Sequence, residues 1–162
     1  MISYDKDTLS SYLEHLALRE PVPGGGSAAA LASAMGAALI AMSTRYSIGK
    51  SKPKPIETRF SKIIGDADAA RANLLTLVSE DSTAYLNMVA ARKSGDQKVS
   101  AQAKRAAIRV PKDIIKISQS LLKVIPFLKK EGNTYMVSDV KAAEGFLKAG
   151  ISAALAMVQA NQ

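Results

Sequence analysis

The 162-residue chain has no cysteine, no tryptophan and a single histidine, His15. Without cysteine there are no disulfides, thiolate metal sites, iron–sulfur clusters or cysteine nucleophiles. One histidine excludes a multi-histidine zinc site and argues against a serine–histidine pair. Aromatic residues make up 5% of the chain, too few for the stacking platforms that hold single-stranded nucleic acid. Acidic side chains are also in the minority, 14 against 22 Lys and Arg, for a formal net charge of +8. Such a surface attracts phosphates, anionic lipids or polycarboxylates. No recognition module accompanies the charge, so a nucleic-acid partner is not expected. The opening residues lack a basic stretch followed by an apolar one, so no secretory signal is visible. A cysteine-free chain is compatible with a reducing cytosol, and a cytoplasmic location is the expectation.

What is present reads as one globular domain over residues 1–162, with 48% hydrophobic and 22% charged residues. Nearly all of it has helical periodicity. Leu9, Tyr12, Leu13 and Leu16 form the stripe of a first helix from Asp7 to Leu18. Glu20 to Gly26, with two prolines and three glycines, breaks it. Ser27 is the expected N-cap of a second helix ending near Ser47 and built mainly of Ala, Ser and Gly. No charge occurs from Pro23 to Thr44, so a membrane span has to be weighed. The glycine-rich start and small side chains favour a central core helix instead. A long third helix is expected from Ile56 to Ala91, with a break at Arg92–Asp96. A fourth is expected from Ser100, kinked or restarted at Pro111, and bent again at Pro126. Gly132-Asn133 ends that element. Ser138-Asp139 reads as the cap of a last helix running to Ala160. No segment alternates like a strand. The fold class is all-α, an antiparallel bundle around the Ala/Gly-rich helix.

Three places carry candidate chemistry. Pro23-Gly24-Gly25-Gly26-Ser27 sets bare amides before a helix start, a recipe for an anion or a developing oxyanion, although on the glycines alone a plain flexible turn is the favoured reading. The Rossmann and P-loop fingerprints do not fit, because no strand precedes the glycines. Asp81 sits within the apolar pattern of the third helix, one turn before Tyr85, where an acid is paired, at the stripe's edge, or functional; unpaired burial would raise its pKa. Asp139 is either a cap or a functional acid, and Lys50 either a helix-end charge or an anion contact. His15, beside Leu13 and Leu16, reads as a surface residue rather than a general base.

Taken together, these blocks resemble the cyclodeaminase / methenyltetrahydrofolate cyclohydrolase family. The blocks are Pro21–Ser27 with Met35-Gly36-Ala37-Ala38, Ile48-Gly49-Lys50, Asp81 with Ala84-Tyr85, and Val110-Pro111 with Gly132-Asn133 and Ser138-Asp139. The resemblance implies an all-helical homodimer acting on a tetrahydrofolate one-carbon derivative as substrate, with no cofactor, metal or membrane. It further implies hydrolysis of 5,10-methenyltetrahydrofolate to 10-formyltetrahydrofolate. The alternatives are ammonia loss from 5-formiminotetrahydrofolate, or a non-catalytic folate-binding dimer that kept the fold. On this resemblance Asp139, Asp81 and Lys50 are the catalytic candidates. Pro23, Gly24, Gly25, Gly26, Ser27, Asn133 and Ser138 are the substrate-binding candidates, with Asn133 on the pterin edge. The two aspartates and the glycine run are expected to meet in one hollow.

Overall fold

The computed structural model describes residues 3–49 and 51–162, and every regular element among them is helical. The helices are α1 (Leu9–Ala17), α2 (Gly25–Arg45), α3 (Lys54–Ser94), α4 (Gln97–Leu122), α5 (Ile125–Glu131) and α6 (Val137–Ala160), with single 3-10 turns at Tyr4–Lys6 and Thr134–Met136. α2 runs through the centre, packed along α3 and α6, with α4 closing the layer behind. Gly25 of α2 lies against Met157 and Gly36 against Leu147, so α2 and α6 are antiparallel. Arg45 meets Asp68, and Gly26 meets Asp81, so α3 is antiparallel to α2 as well.

Small side chains make this packing possible. A Cβ on Gly36 would stand 2.8 Å from Leu147 Cγ, and one on Gly150 would stand 2.9 Å from the Ala29 carbonyl and collide with Ser33 Oγ. Backbones therefore touch where ordinary helices keep 8–10 Å between axes. Ser118 of α4 donates to the buried Ser33 Oγ at 2.9 Å, so the same point ties a third helix. Phe60, Ile40, Leu74, Ile114, Leu128 and Leu147, all fully buried, belong to the one core cluster that runs along these helices. α2 is long and apolar enough to cross a membrane, yet 56% of its apolar window is buried in protein. It is a core helix.

Several helix limits differ from the sequence expectation. Thr8, not Asp7, opens α1, its hydroxyl accepting the Ser11 N–H at 3.1 Å. α2 starts two residues before Ser27, with extended Gly24 as N-cap and no side-chain cap of its own, and it ends at Arg45. α3 spans 41 residues, about 60 Å, and takes Pro55 into its first turn, where a missing N–H costs nothing. It stops at Gly95, whose φ of 74° is left-handed. Asp96 then caps α4 by accepting the Lys98 and Val99 N–H groups at 2.8 and 3.1 Å. Pro126 starts α5 rather than bending α4. Ser138 and Asp139 do not cap α6 but lie inside its first turn, after Met136.

Pro111 neither kinks α4 into two nor restarts it. A proline there has no N–H for the carbonyl four residues back, that of Ala107. Asn161, just past α6, supplies the missing donor: its Nδ2 donates to Ala107 O at 3.1 Å. Ala107 is buried, so without Asn161 the carbonyl would be left unpaired. Asn161→Ala is therefore expected to lower stability by about 1–2 kcal/mol, a fall of several degrees in thermal midpoint. In a Pro111→Ala background, where the ladder bond is restored, the same change should cost little.

Candidate functional site

Asp81 reaches across from α3 to the start of α2. Its carboxylate lies against Gly26, where a Cβ would collide with Oδ1, and it accepts the Ser27 backbone N–H. The acid thus does for α2 what a Ser or Asp at Gly24 would have done from within the chain. Gly26 is the position that cannot carry a side chain if Asp81 is to sit there. Burial pushes the Asp81 carboxyl up to about 6, and the Ser27 N–H only partly offsets it. Tyr12 stands near the carboxylate, its hydroxyl 3.0 Å from Ser27 Oγ, and Pro23, after the cis Val22–Pro23 peptide, is buried just before the glycines. Gly25 is exposed beside Met157, and Tyr85, one turn beyond Asp81, is 38% exposed. The aspartate is largely enclosed, with Gly26 buried against it and Gly25 exposed at the edge.

The glycine run and Asp81 are therefore brought together. The positive end of α2 faces a carboxylate of the protein itself. Ser27 is not a cap; its hydroxyl faces Tyr12 and its amide faces Asp81.

Asn133, Ser138 and Asp139 lie at the opposite end of α2, about 30 Å away along 21 residues of helix. Asn133 donates its backbone N–H to Ser47 Oγ at 2.9 Å and its Nδ2 to Tyr46 O at 3.0 Å, and accepts the Tyr135 N–H on Oδ1 at 3.0 Å. It latches the turn before α6 to the end of α2, which accounts for its side chain without a ligand. Beside it is a hollow of about 290 Å³ lined by Ser47, Lys52, Gly132, Asn133, Thr134 and Tyr135. Ser138 is exposed and Asp139 half-buried, with Ser138 Oγ 3.5 Å from Asp139 Oδ2. Lys50 lies outside the described residues. Within one protomer, Asp81 and Asp139 do not share a hollow.

A groove of about 580 Å³ between α3 and α4, lined by Thr76, Ser79, Glu80, Thr83, Asn87 and Arg109 among others, contains none of the predicted residues. Among the described residues, no three His, Asp or Glu side chains gather as a metal cage. His15 is exposed and stands 3.8 Å from Glu20. Tyr12 is the residue the sequence did not single out. It sits in the α1 apolar stripe like any core aromatic, and nothing local marks its contact 15 residues on.

A family model described as Formiminotransferase-cyclodeaminase matches residues 8–162. The chain is 27% identical to a methenyltetrahydrofolate cyclohydrolase of Methylorubrum extorquens, over 96% of this chain and 79% of that protein. It is 28% identical to the formimidoyltransferase-cyclodeaminase of Rattus norvegicus over 95% of its own length, but spans only 30% of that longer protein. Its fold superposes on a crystal structure of a formiminotetrahydrofolate cyclodeaminase from Thermotoga maritima with a TM-score of 0.92 at 25% identity, covering 97% of this chain and 79% of that one.

The raised carboxyl has a consequence for stability. Between about 4 and 6 the folded chain holds a proton on Asp81 that the unfolded chain has released, so this group's contribution to stability falls as pH rises through that window. Above it the contribution is flat. Denaturant unfolding of the native chain and of Asp81→Asn across pH 4–7 should give a difference curve with that slope; a flat difference would contradict the burial of the acid.

Proposed function

Since the chain belongs to the formiminotransferase-cyclodeaminase family, whose named relatives are enzymes acting on folate derivatives, we propose that it hydrolyses 5,10-methenyltetrahydrofolate to 10-formyltetrahydrofolate. The observation that carries this reading is the enclosed Asp81 carboxyl with its pKa near 6. A base of that strength is largely ionised at neutral pH and still takes a proton readily. The substrate's methenyl carbon is an amidinium electrophile held between N5 and N10. Asp81 accepts a proton from the attacking water to give a neutral carbinolamine and passes it to N5 as the C–N5 bond breaks; the carbinol hydroxyl then releases its proton to solvent as the formyl C=O forms on N10. The carboxylate also opposes the positive charge of the bound substrate. Tyr85, at the open edge, offers a ring face to the pterin. Similarity to a cyclohydrolase across most of its length favours hydrolysis. The runner-up is ammonia release from the formimino derivative, in which N10 takes the place of water at the same carbon.

We further propose that two copies complete the site. Leu31, Met35, Leu39 and Met42 form a partly open apolar stripe along α2, with Met35 40% exposed, and α6, packed along α2, leaves Phe146 36% exposed. A twofold axis across the middle of α2 covers that stripe with its own copy. It sets the Asp81 end of one protomer beside the Asn133–Asp139 end of its partner. The +8 charge suits the carboxylate tail of the substrate.

The near-ultraviolet absorbance of methenyltetrahydrofolate reports the reaction directly. Asp81→Asn should slow its enzyme-dependent decay by about 10²–10⁴-fold, and the native rate should rise with pH through about 6 as the base ionises. Decay at the buffer rate with ammonia released from the formimino substrate would move the assignment to cyclodeaminase. If Asp139→Asn is also inactive and the two ends meet across a dimer, mixing the two variants should restore about a quarter of native activity, because half the dimers then carry one intact site of two.

A further inference from the structure

Tyr12 is the one buried residue of α1. Its ring is held edge-on by Tyr4, with centroids 5.9 Å apart and planes at 77°. Its hydroxyl shares a hydrogen bond with the fully buried Ser27 Oγ. Burial pushes the Tyr12 phenol up, with nearby Asp81 adding to the effect against the Ser27 bond, so the phenol is neutral wherever Asp81 titrates. Ser27 is the third residue of α2, and the residues before it, Gly24, Gly25 and Gly26, bring no side chain that can hold the turn. Glycine is also a poor helix former. Two tertiary hydrogen bonds secure this turn, and both end on Ser27: Tyr12 on its hydroxyl, Asp81 on its amide.

We propose that Tyr12 is a positioning residue for Asp81: by anchoring Ser27 it fixes the first turn of α2, and with it the amide that orients the carboxylate. The short helix α1 is thereby a strap over the site rather than a loose appendage. This rests on the reading of Asp81 as the acid–base group. Among the described residues, no second carboxylate, histidine or cation competes for the part. α1 presents Tyr12 backed by Tyr4, the first turn of α2 has no charged residue, α6 presents Met157 next to Gly25, and Glu80 on α3 turns toward Arg109 at 3.5 Å.

The test uses Tyr12→Phe, which keeps the ring and its packing, and Ser27→Ala, which leaves the ring untouched, each checked for helicity by circular dichroism. Carboxyl-carbon NMR of the full chain follows the titration of Asp81. In either variant the midpoint should rise by about one pH unit, because the amide that favours the ionised form is no longer held in place. With methenyltetrahydrofolate, kcat should fall about tenfold to a hundredfold with little change in KM, and the acid limb of the rate profile should move up with the midpoint. The double variant should be no worse than either single one, since both break the same link. An unmoved Asp81 midpoint in a folded variant overturns the proposal, as do effects that add in the double variant. If Asp81→Asn retains native turnover, the functional reading fails while the NMR titration still decides the positioning role.

Discussion

Backbone contact along α2 sets the terms for everything around it. Gly36 and Gly150 let α6 approach until Leu147 and the Ala29 carbonyl are the limiting atoms, and Ser33 with Ser118 brings α4 to the same crossing. Helices packed this closely have little freedom to slide, because a shift of one turn would place a Cβ against a carbonyl. The length of α3 follows from the same constraint. An isolated helix of that size gains little from propensity alone, and here it lies antiparallel to α2, from the Arg45–Asp68 pair to Gly26 and Asp81. α5 is fastened to α6 at its outer edge, where Lys129 and Lys148 each stand 2.5 Å from Glu144 and hold its carboxyl down to about 2.

Two opposed effects meet at Asp81. A helix N-terminus carries about half a positive charge and favours an anion, and the Ser27 amide adds a direct hydrogen bond. Removal from water opposes both, and it wins: the carboxyl titrates near 6 rather than near 4. Had the acid stood at Gly24 as an ordinary cap, solvent would have kept it a strong acid. Delivery from a neighbouring helix places the same group in drier surroundings. The contrast with Glu144, equally acidic in the chain but lowered by two exposed lysines, shows environment rather than residue type deciding the chemistry.

Periodicity in the chain was enough to find five of the six helices, because the breakers between them are Pro and Gly clusters; α5 was read as a bent end of α4, since only Pro126 marks the division. What local pattern does not carry is who satisfies whom. Ser27 has the composition of a cap, but the capping acid comes from 54 residues further along. Ser138-Asp139 has the same composition, but Asn133 ties the turn before it. Pro111 reads as a break because its compensating donor is 50 residues away. For the site, the pairing of the glycine run with Asp81 was legible as chemistry. The separation of Asp139 from them was not, since it depends on α6 running antiparallel to α2, which no spacing encodes.

The pairing of Pro111 with Asn161 also constrains the chain's history. An asparagine at the end of α6 is harmless while residue 111 still has its own amide hydrogen, whereas a proline arriving first would strand the Ala107 oxygen inside the protein. The permissive order is therefore asparagine before proline. Once both are in place, the asparagine is no longer free to drift, and the two positions should be inherited as a linked pair.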